Sequence, residues 1–189
     1  MAREALTGSA ADPVAEPDAY RALLLGRLGT DDPAVVQAES PERVASLARE
    51  APALLRTRPA PEEWSALECL GHLVDGELVV GGRVRWILAE DQPDIVGYDQ
   101  DRWVARLHRD DDPAALAATF TALRAANLRL WASSRPEDRA RIGIHRERGP
   151  ESYELTFRLL AGHDRVHLDQ AERALATVRA ALEREDRTA

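Results

Sequence analysis

The sequence predicts an all-α protein, a four-helix bundle with a long crossover between its second and third helices. Three observations carry that prediction. Hydrophobic residues make up 44% of the chain and aromatics only 5%, so the core must come from Leu, Ala and Val, a palette that favours helices. β-Branched runs with period-two alternation are missing, so no substantial sheet is expected. Four segments carry apolar residues at helical spacing, and one of the links between them is long. At 189 residues the chain fits one domain, able to bury roughly 70% of its unfolded surface.

Residues 1–17 are small, polar and interrupted by Pro13 and Pro17, which reads as a loose tail. A short helix is expected over 18–28, "DAYRALLLGRL", so residues 1–39 form an N-terminal extension and 40–184 the bundle domain. Ser40-Pro41 looks like a cap followed by proline at the first helical position. Val44, Leu47, Ala51 and Leu54 supply that helix with a stripe, which Pro52 should break or kink. The second bundle helix has the clearest start, because Ser65 and Glu68 in "WSALE" form a capping box; it should run to about Glu90. Residues 91–111 make the crossover, with room for one helical turn. Asp112-Pro113 opens the third helix, which carries Leu116, Phe120, Leu123, Asn127 and Leu130 at helical spacing. "RPEDRARIGIHRERGPE" reads as an irregular link, and the fourth helix runs from near Ser152 to about Arg184. Short links force antiparallel neighbours, whereas the long one lets helices two and three lie parallel.

All 25 basic residues are Arg, the imprint of a GC-rich genome, and the net charge is −8. Phosphate tracking needs a clustered basic excess, so a nucleic-acid partner is not expected. The single Cys excludes an internal disulfide and fits a reducing compartment. No stretch has signal-peptide or membrane-span character. The expectation is a soluble cytoplasmic protein without a membrane partner.

"AGHDRVHLDQ" places His163 and His167 four residues apart on one helix face. Both fall on the stripe of Thr156, Leu159, Leu160, Gln170, Ala174 and Val178, so they interrupt an apolar seam. His72 sits on the comparable stripe of the second helix, with Gly76 one turn later leaving space for a ligand. A lone core histidine bonded to a carbonyl is the ordinary reading of His72. The pair is different, because burying polar rings without partners costs roughly 1–3 kcal/mol each, and a shared ion removes that cost. Three neutral imidazoles suit Zn²⁺ or Ni²⁺ better than Mg²⁺ or Ca²⁺. Three protein ligands leave positions open, the catalytic pattern, and water on such an ion ionises near neutral pH. "HDRVH" also resembles the HExxH of zinc proteases, but Asp164 is one methylene short of the required Glu.

The stretches "RPAPEEWSALECLGHLVDGELVVGGRVRWILAEDQP", "YDQDRW", "RIGIHRERG" and "AGHDRVHLDQAER" together resemble the DinB/YfiT-like superfamily of metalloenzymes, over roughly residues 40–178. The resemblance implies an up-down-down-up bundle and a divalent metal, commonly nickel or zinc, held by His72, His163 and His167. It implies thiol S-transferase or hydrolase chemistry on a small electrophilic molecule, with a low-molecular-weight thiol as a cosubstrate in some relatives, and a homodimer as a family expectation. The alternative is a non-catalytic metal- or ligand-binding bundle in stress response.

Several further side chains are candidates, each with a plainer role beside it. Gln170 and Asn127 are amides on apolar stripes, suited to orient water or substrate, or simply to satisfy backbone. His145 could close over the site from its link or sit in solvent. Asp164 could fix an imidazole tautomer or pair with an Arg at the surface. Arg83 could receive a substrate carboxylate or snorkel outward, and Cys69 reads as a small core residue. Tyr98 to Trp103 should pack the crossover on the bundle, with Trp103 as anchor.

Overall fold

A computed structural model describes residues 15–187; the tail expected over 1–17 lies almost wholly outside them. Helix α1 (Pro17–Leu28) opens with proline in its first turn and ends at Gly29, whose φ of +63° a side chain would strain. Helix α2 (Pro33–Ala48) begins at Asp32-Pro33, where the Asp32 carboxylate accepts the Ala34 N–H at 2.7 Å. The expected start at Ser40-Pro41 is therefore corrected: both residues lie inside α2. An interior proline frees the carbonyl four residues back, here that of Gln37, and Arg124 donates to it at 3.1 Å. Pro52 does not kink this helix but opens a separate short one, α3 (Pro52–Arg56).

Helix α4 (Ala66–Ala89) starts on the expected capping box, with Glu68 N–H to Ser65 Oγ at 3.2 Å and Ser65 N–H to Glu68 Oε2 at 2.8 Å. The crossover holds strand β1 (Asp94–Ile95) and helix α5 (Gln100–Leu107), the latter capped by Asp99. Helix α6 (Pro113–Ser133) opens at Asp112-Pro113 and helix α8 (Tyr153–Asp186) at Ser152, as read from sequence. Between them lie α7 (Pro136–Arg139) and strands β2 (Ile142–His145) and β3 (Gly149–Ser152). The link expected to be irregular is thus a hairpin. β2 pairs antiparallel with β3 and parallel with β1, placing Ile95 opposite His145. This small sheet ties the crossover to the link before α8.

The bundle consists of α2, α4, α6 and α8, with α1 laid along α8. Gln37 bonds the Phe157 carbonyl, Ser40 bonds Asp164 and Arg43 bonds Glu172, so α2 and α8 run parallel. Glu77 meets Arg124, and Val84 packs near Leu128 and Trp131, so α4 and α6 also run parallel. Val84 and Ile87, late in α4, meet Tyr153 and Phe157, early in α8, and that pair is antiparallel. The course is up-down-down-up. The main core gathers Leu55, Trp64, Leu67, Leu70, Phe120, Leu168 and Leu175 at one end, and a second cluster around Val84, Tyr153 and Phe157 fills the other. The polar site lies between them. Among the described residues no helix is long and apolar enough to cross a membrane.

Candidate metal centre and its cavity

His72 comes from α4, His163 and His167 from α8, and their available ring nitrogens all lie within 4.8 Å of one another. His72 Nε2 and His163 Nε2 face each other at 2.9 Å. All three rings are at least nine-tenths buried. Burial, reinforced by neighbouring imidazoles, holds His72 and His167 well below the ordinary imidazole range, while burial and then Arg124 lower His163 to about 4. Neutral imidazoles offer lone pairs, and that is the protonation state a divalent ion requires. His167 Nδ1 donates to Gln170 Oε1 at 2.9 Å, which leaves its Nε2 free as a ligand atom. The Nδ1 atoms of His72 and His163 are buried without partners. The donor set fits a divalent metal.

Two neighbours shape the cluster. Trp64 is 1% exposed and its ring lies 4.9 Å from His72 and 5.8 Å from His167, closing the side away from the cavity. At Gly76 an added Cβ would stand 3.2 Å from His163 Cε1. The His163 ring takes part of the space expected there for a ligand, and Gly76 also lines the adjoining cavity. The glycine lets that ring approach the α4 backbone.

Behind the imidazoles runs a buried polar network. Arg124 donates to Asp164 Oδ2 at 2.6 Å, to Asp164 Oδ1 at 3.0 Å and to Glu77 Oε1 at 2.5 Å, and Ser40 adds a bond to Asp164 Oδ2 at 2.7 Å. Asp164 is therefore neither an imidazole partner nor a surface residue. Asn127 is placed apart from the cavity: its amide donates to Glu77 Oε2 at 3.0 Å and its oxygen accepts from Arg85 at 2.8 Å. Cys69 is a core residue whose thiol burial pushes up.

His163 lines one end of a cavity of about 90 Å³. Its walls come from α4 (Gly76, Val80, Arg83), α8 (Thr156, Leu159, Leu160), the crossover (Tyr98, Gln100) and the sheet link. Helix α1 adds Tyr20 and Leu24, a wall that sequence reasoning did not assign. His145 does reach this cavity and is 2% exposed. Its Nδ1 accepts the Glu147 N–H at 3.4 Å and lies 2.9 Å from Glu147 Oε2, and its Nε2 is buried without a partner. Burial, then Arg148 and Arg83, lower His145 to about 4. The anchor of the crossover is not Trp103, which is half-buried against Tyr98. Val104 is 1% exposed, and His108 bonds Asp75 at 2.8 Å and Asp111 at 2.6 Å; these two hold α5 down.

Residues 36–171 match the DinB superfamily. The chain belongs to that superfamily. The solved structure of YfiT from Bacillus subtilis, described as "a probable metal-dependent hydrolase with an unusual four-helix bundle topology", aligns with a TM-score of 0.71 over 75% of this chain and 83% of that one. Sequence identity is 19%, so the likeness concerns the fold. No curated protein matches the chain. Glu77, Arg124, Asp75 and Trp64 escaped sequence reasoning. For Trp64 a signal existed, since it immediately precedes a cap and packs in the same cluster as Cys69, the arrangement of a hydrophobic staple.

Proposed function

We propose that this protein is a metal-dependent enzyme acting on a small electrophilic molecule, by hydrolysis or by transfer of a low-molecular-weight thiol. The observation that carries the reading is the position of His163: it belongs to the three-imidazole cluster and also faces the cavity. A structural zinc site is closed by four ligands, whereas three ligands beside a cavity leave room for reactants. Zinc or nickel bound there would act as a Lewis acid and acidify a coordinated water or thiol. YfiT's description as a metal-dependent hydrolase supports the hydrolytic branch.

The chain's own residues supply the rest. His72, His163 and His167 hold the ion, and Gln170 sets the tautomer of His167. His145 is neutral at neutral pH and accepts the Glu147 N–H at Nδ1, so its unpartnered Nε2 carries the proton and is placed to donate it to a reactant in the cavity. Leu24, Val80, Leu159 and Leu160 keep the space apolar and exclude water from the reacting groups. Asn127 takes no part.

The test is metal analysis of the purified chain, then a screen of small esters, amides and alkylating electrophiles with and without added thiols. Turnover that needs metal and is lost in His167→Ala supports the reading, and thiol dependence separates transfer from hydrolysis. A metal-loaded protein that binds small molecules but turns none over would instead make this a non-catalytic binding bundle.

A further inference from the structure

The geometry points to Arg83 as a carboxylate-binding residue at the far end of the metal-centre cavity, so that the substrate is a small carboxylic acid with its electrophilic group directed at the imidazoles. This rests on the enzymatic reading of the site and adds the substrate's charge and length to it.

Arg83 is 8% exposed and lines the cavity, so it does not snorkel to the surface. Of its five N–H donors, one is given to the Val96 carbonyl at 2.9 Å, and its buried Nε has no partner. No carboxylate lies within ion-pair distance of it among the described residues. Two glutamates line the same cavity, but neither forms an ion pair with Arg83. Glu151 takes two bonds from Arg148, at 2.6 and 2.9 Å, and a 3.4 Å contact from Arg21; Glu147 lies 2.9 Å from the neutral His145. Arg83 is left as a buried guanidinium with no carboxylate in contact with it, attracted only at longer range by Glu151 and Glu147, and burying a charge that is not closely paired is costly. A ligand carboxylate removes that cost and meets the planar fork of donors.

The spacing fixes the ligand's length. Gly76, level with His163, and Arg83 are seven residues apart on α4, roughly 10 Å along the axis. Helical side chains lean toward the N-terminus, which brings the guanidinium back toward His163. A separation of about 5–8 Å between carboxylate and reacting atom then spans the cavity. Val80, Leu159 and Leu160 between the two ends suit a short hydrocarbon linker.

The probe is the mono-nitrophenyl ester of glutaric acid, compared with the mixed nitrophenyl methyl diester, which has the same reacting group without the charge. With zinc- or nickel-loaded protein, kcat/KM should favour the acid by roughly 10- to 100-fold, the value of a buried charge-assisted bond. In Arg83→Gln that ratio should fall to near one, with Arg83→Lys between. Glutarate titrated calorimetrically into metal-free protein should bind wild type and not Arg83→Gln. A ratio near one in the wild type, or glutarate binding that is absent or survives in Arg83→Gln, overturns the inference. If Arg83→Gln does not fold, the wild-type ratio and Arg83→Lys decide. Should neither ester turn over while glutarate still binds through Arg83, the hydrolytic branch of the enzymatic reading fails and the carboxylate site stands.

Discussion

Replacing Arg124 with methionine tests how the site is supported. The side chain is fully buried and its guanidinium serves Asp164, Glu77 and the Gln37 carbonyl. Without it, Asp164 keeps only the Ser40 hydroxyl and Glu77 only the Asn127 amide. Breaking a buried ion pair by removing one partner costs about 3–5 kcal/mol. Two carboxylates share this one cation, so the loss should sit at the upper part of that range. For a chain of this size each kcal/mol is roughly 2–4 °C, giving a fall in melting temperature of about 8–20 °C. The pH dependence gives an internal check. Burial already raises the Glu77 carboxyl above its usual range despite Arg124 beside it, and removing the cation raises it further. A folded-state pKa above the unfolded one means that folding takes up protons. The variant's deficit should therefore shrink as pH falls from 7 toward 5 and grow as pH rises. Adding Glu77→Gln and Asp164→Asn should recover most of the loss, because an uncharged trio leaves no charge unpaired. Chemical denaturation of metal-free protein, followed by far-ultraviolet circular dichroism, measures all of this. A loss under about 1 kcal/mol, or one independent of pH, would refute the argument.

Other perturbations separate site from scaffold. His167→Ala should abolish tight metal binding and turnover yet leave helical content nearly unchanged, since α8 keeps its buried Leu159, Leu160, Leu168 and Leu175; dichroism with metal analysis checks both. Gln170→Leu removes the partner of His167 Nδ1 and should weaken metal affinity about 10- to 100-fold, read by chelator competition. At Gly162 an added Cβ would stand 2.0 Å from the Leu24 carbonyl oxygen, so Gly162→Ala should lift α1 off α8 and expose it to limited proteolysis. His108 has its pKa raised: burial opposes the charge, but Asp75 and Asp111 outweigh it. Its stabilisation is thus complete below the unfolded imidazole value and lost as pH rises through the raised one. His108→Gln should cost about 1–3 kcal/mol at pH 5.5 and progressively less at high pH, measured by denaturation at both.

What was legible in the sequence was what neighbours in the chain decide. Ser65 with Glu68, Asp112-Pro113 and Ser152 each carry their cap within four residues, and each starts a helix. Ser40-Pro41 has the same local chemistry and starts nothing, because the carbonyl that Pro41 frees is satisfied from α6, 87 residues away. The hairpin was hidden for a related reason. Its strands are four residues long, Gly149 turns with a φ of +75°, and β2 is completed by two residues of the crossover. The histidine cluster was readable since imidazoles stand out on an apolar stripe. Glu77 and Arg124 were not, because a charged residue on a helix reads as solvated until its counterion is seen, and here that lies 47 residues off. For Asn127 the plainer of the two readings, an amide satisfied by backbone, describes its bond to the Glu77 carbonyl at 3.2 Å, and its bond to the Glu77 carboxylate at 3.0 Å was not foreseen.

The wall built by α1 has a consequence for how such a protein can be re-tooled. Tyr20 and Leu24 face the cavity, yet they precede residue 36, where the match to the superfamily begins. One wall of the cavity is therefore written outside the stretch that carries the imidazoles and Arg83. The two stretches are joined along the length of α1, where the Leu24 carbonyl sits on Gly162, the Leu24 side chain packs on Leu159 and Val166, and Arg165 bonds the Arg27 and Leu28 carbonyls. Exchanging the segment before α2 would recut the chamber while the imidazoles, Gln170 and the Arg124 network stayed as they are. A library randomised at Tyr20 and Leu24 could thus vary what is admitted without disturbing what is done to it.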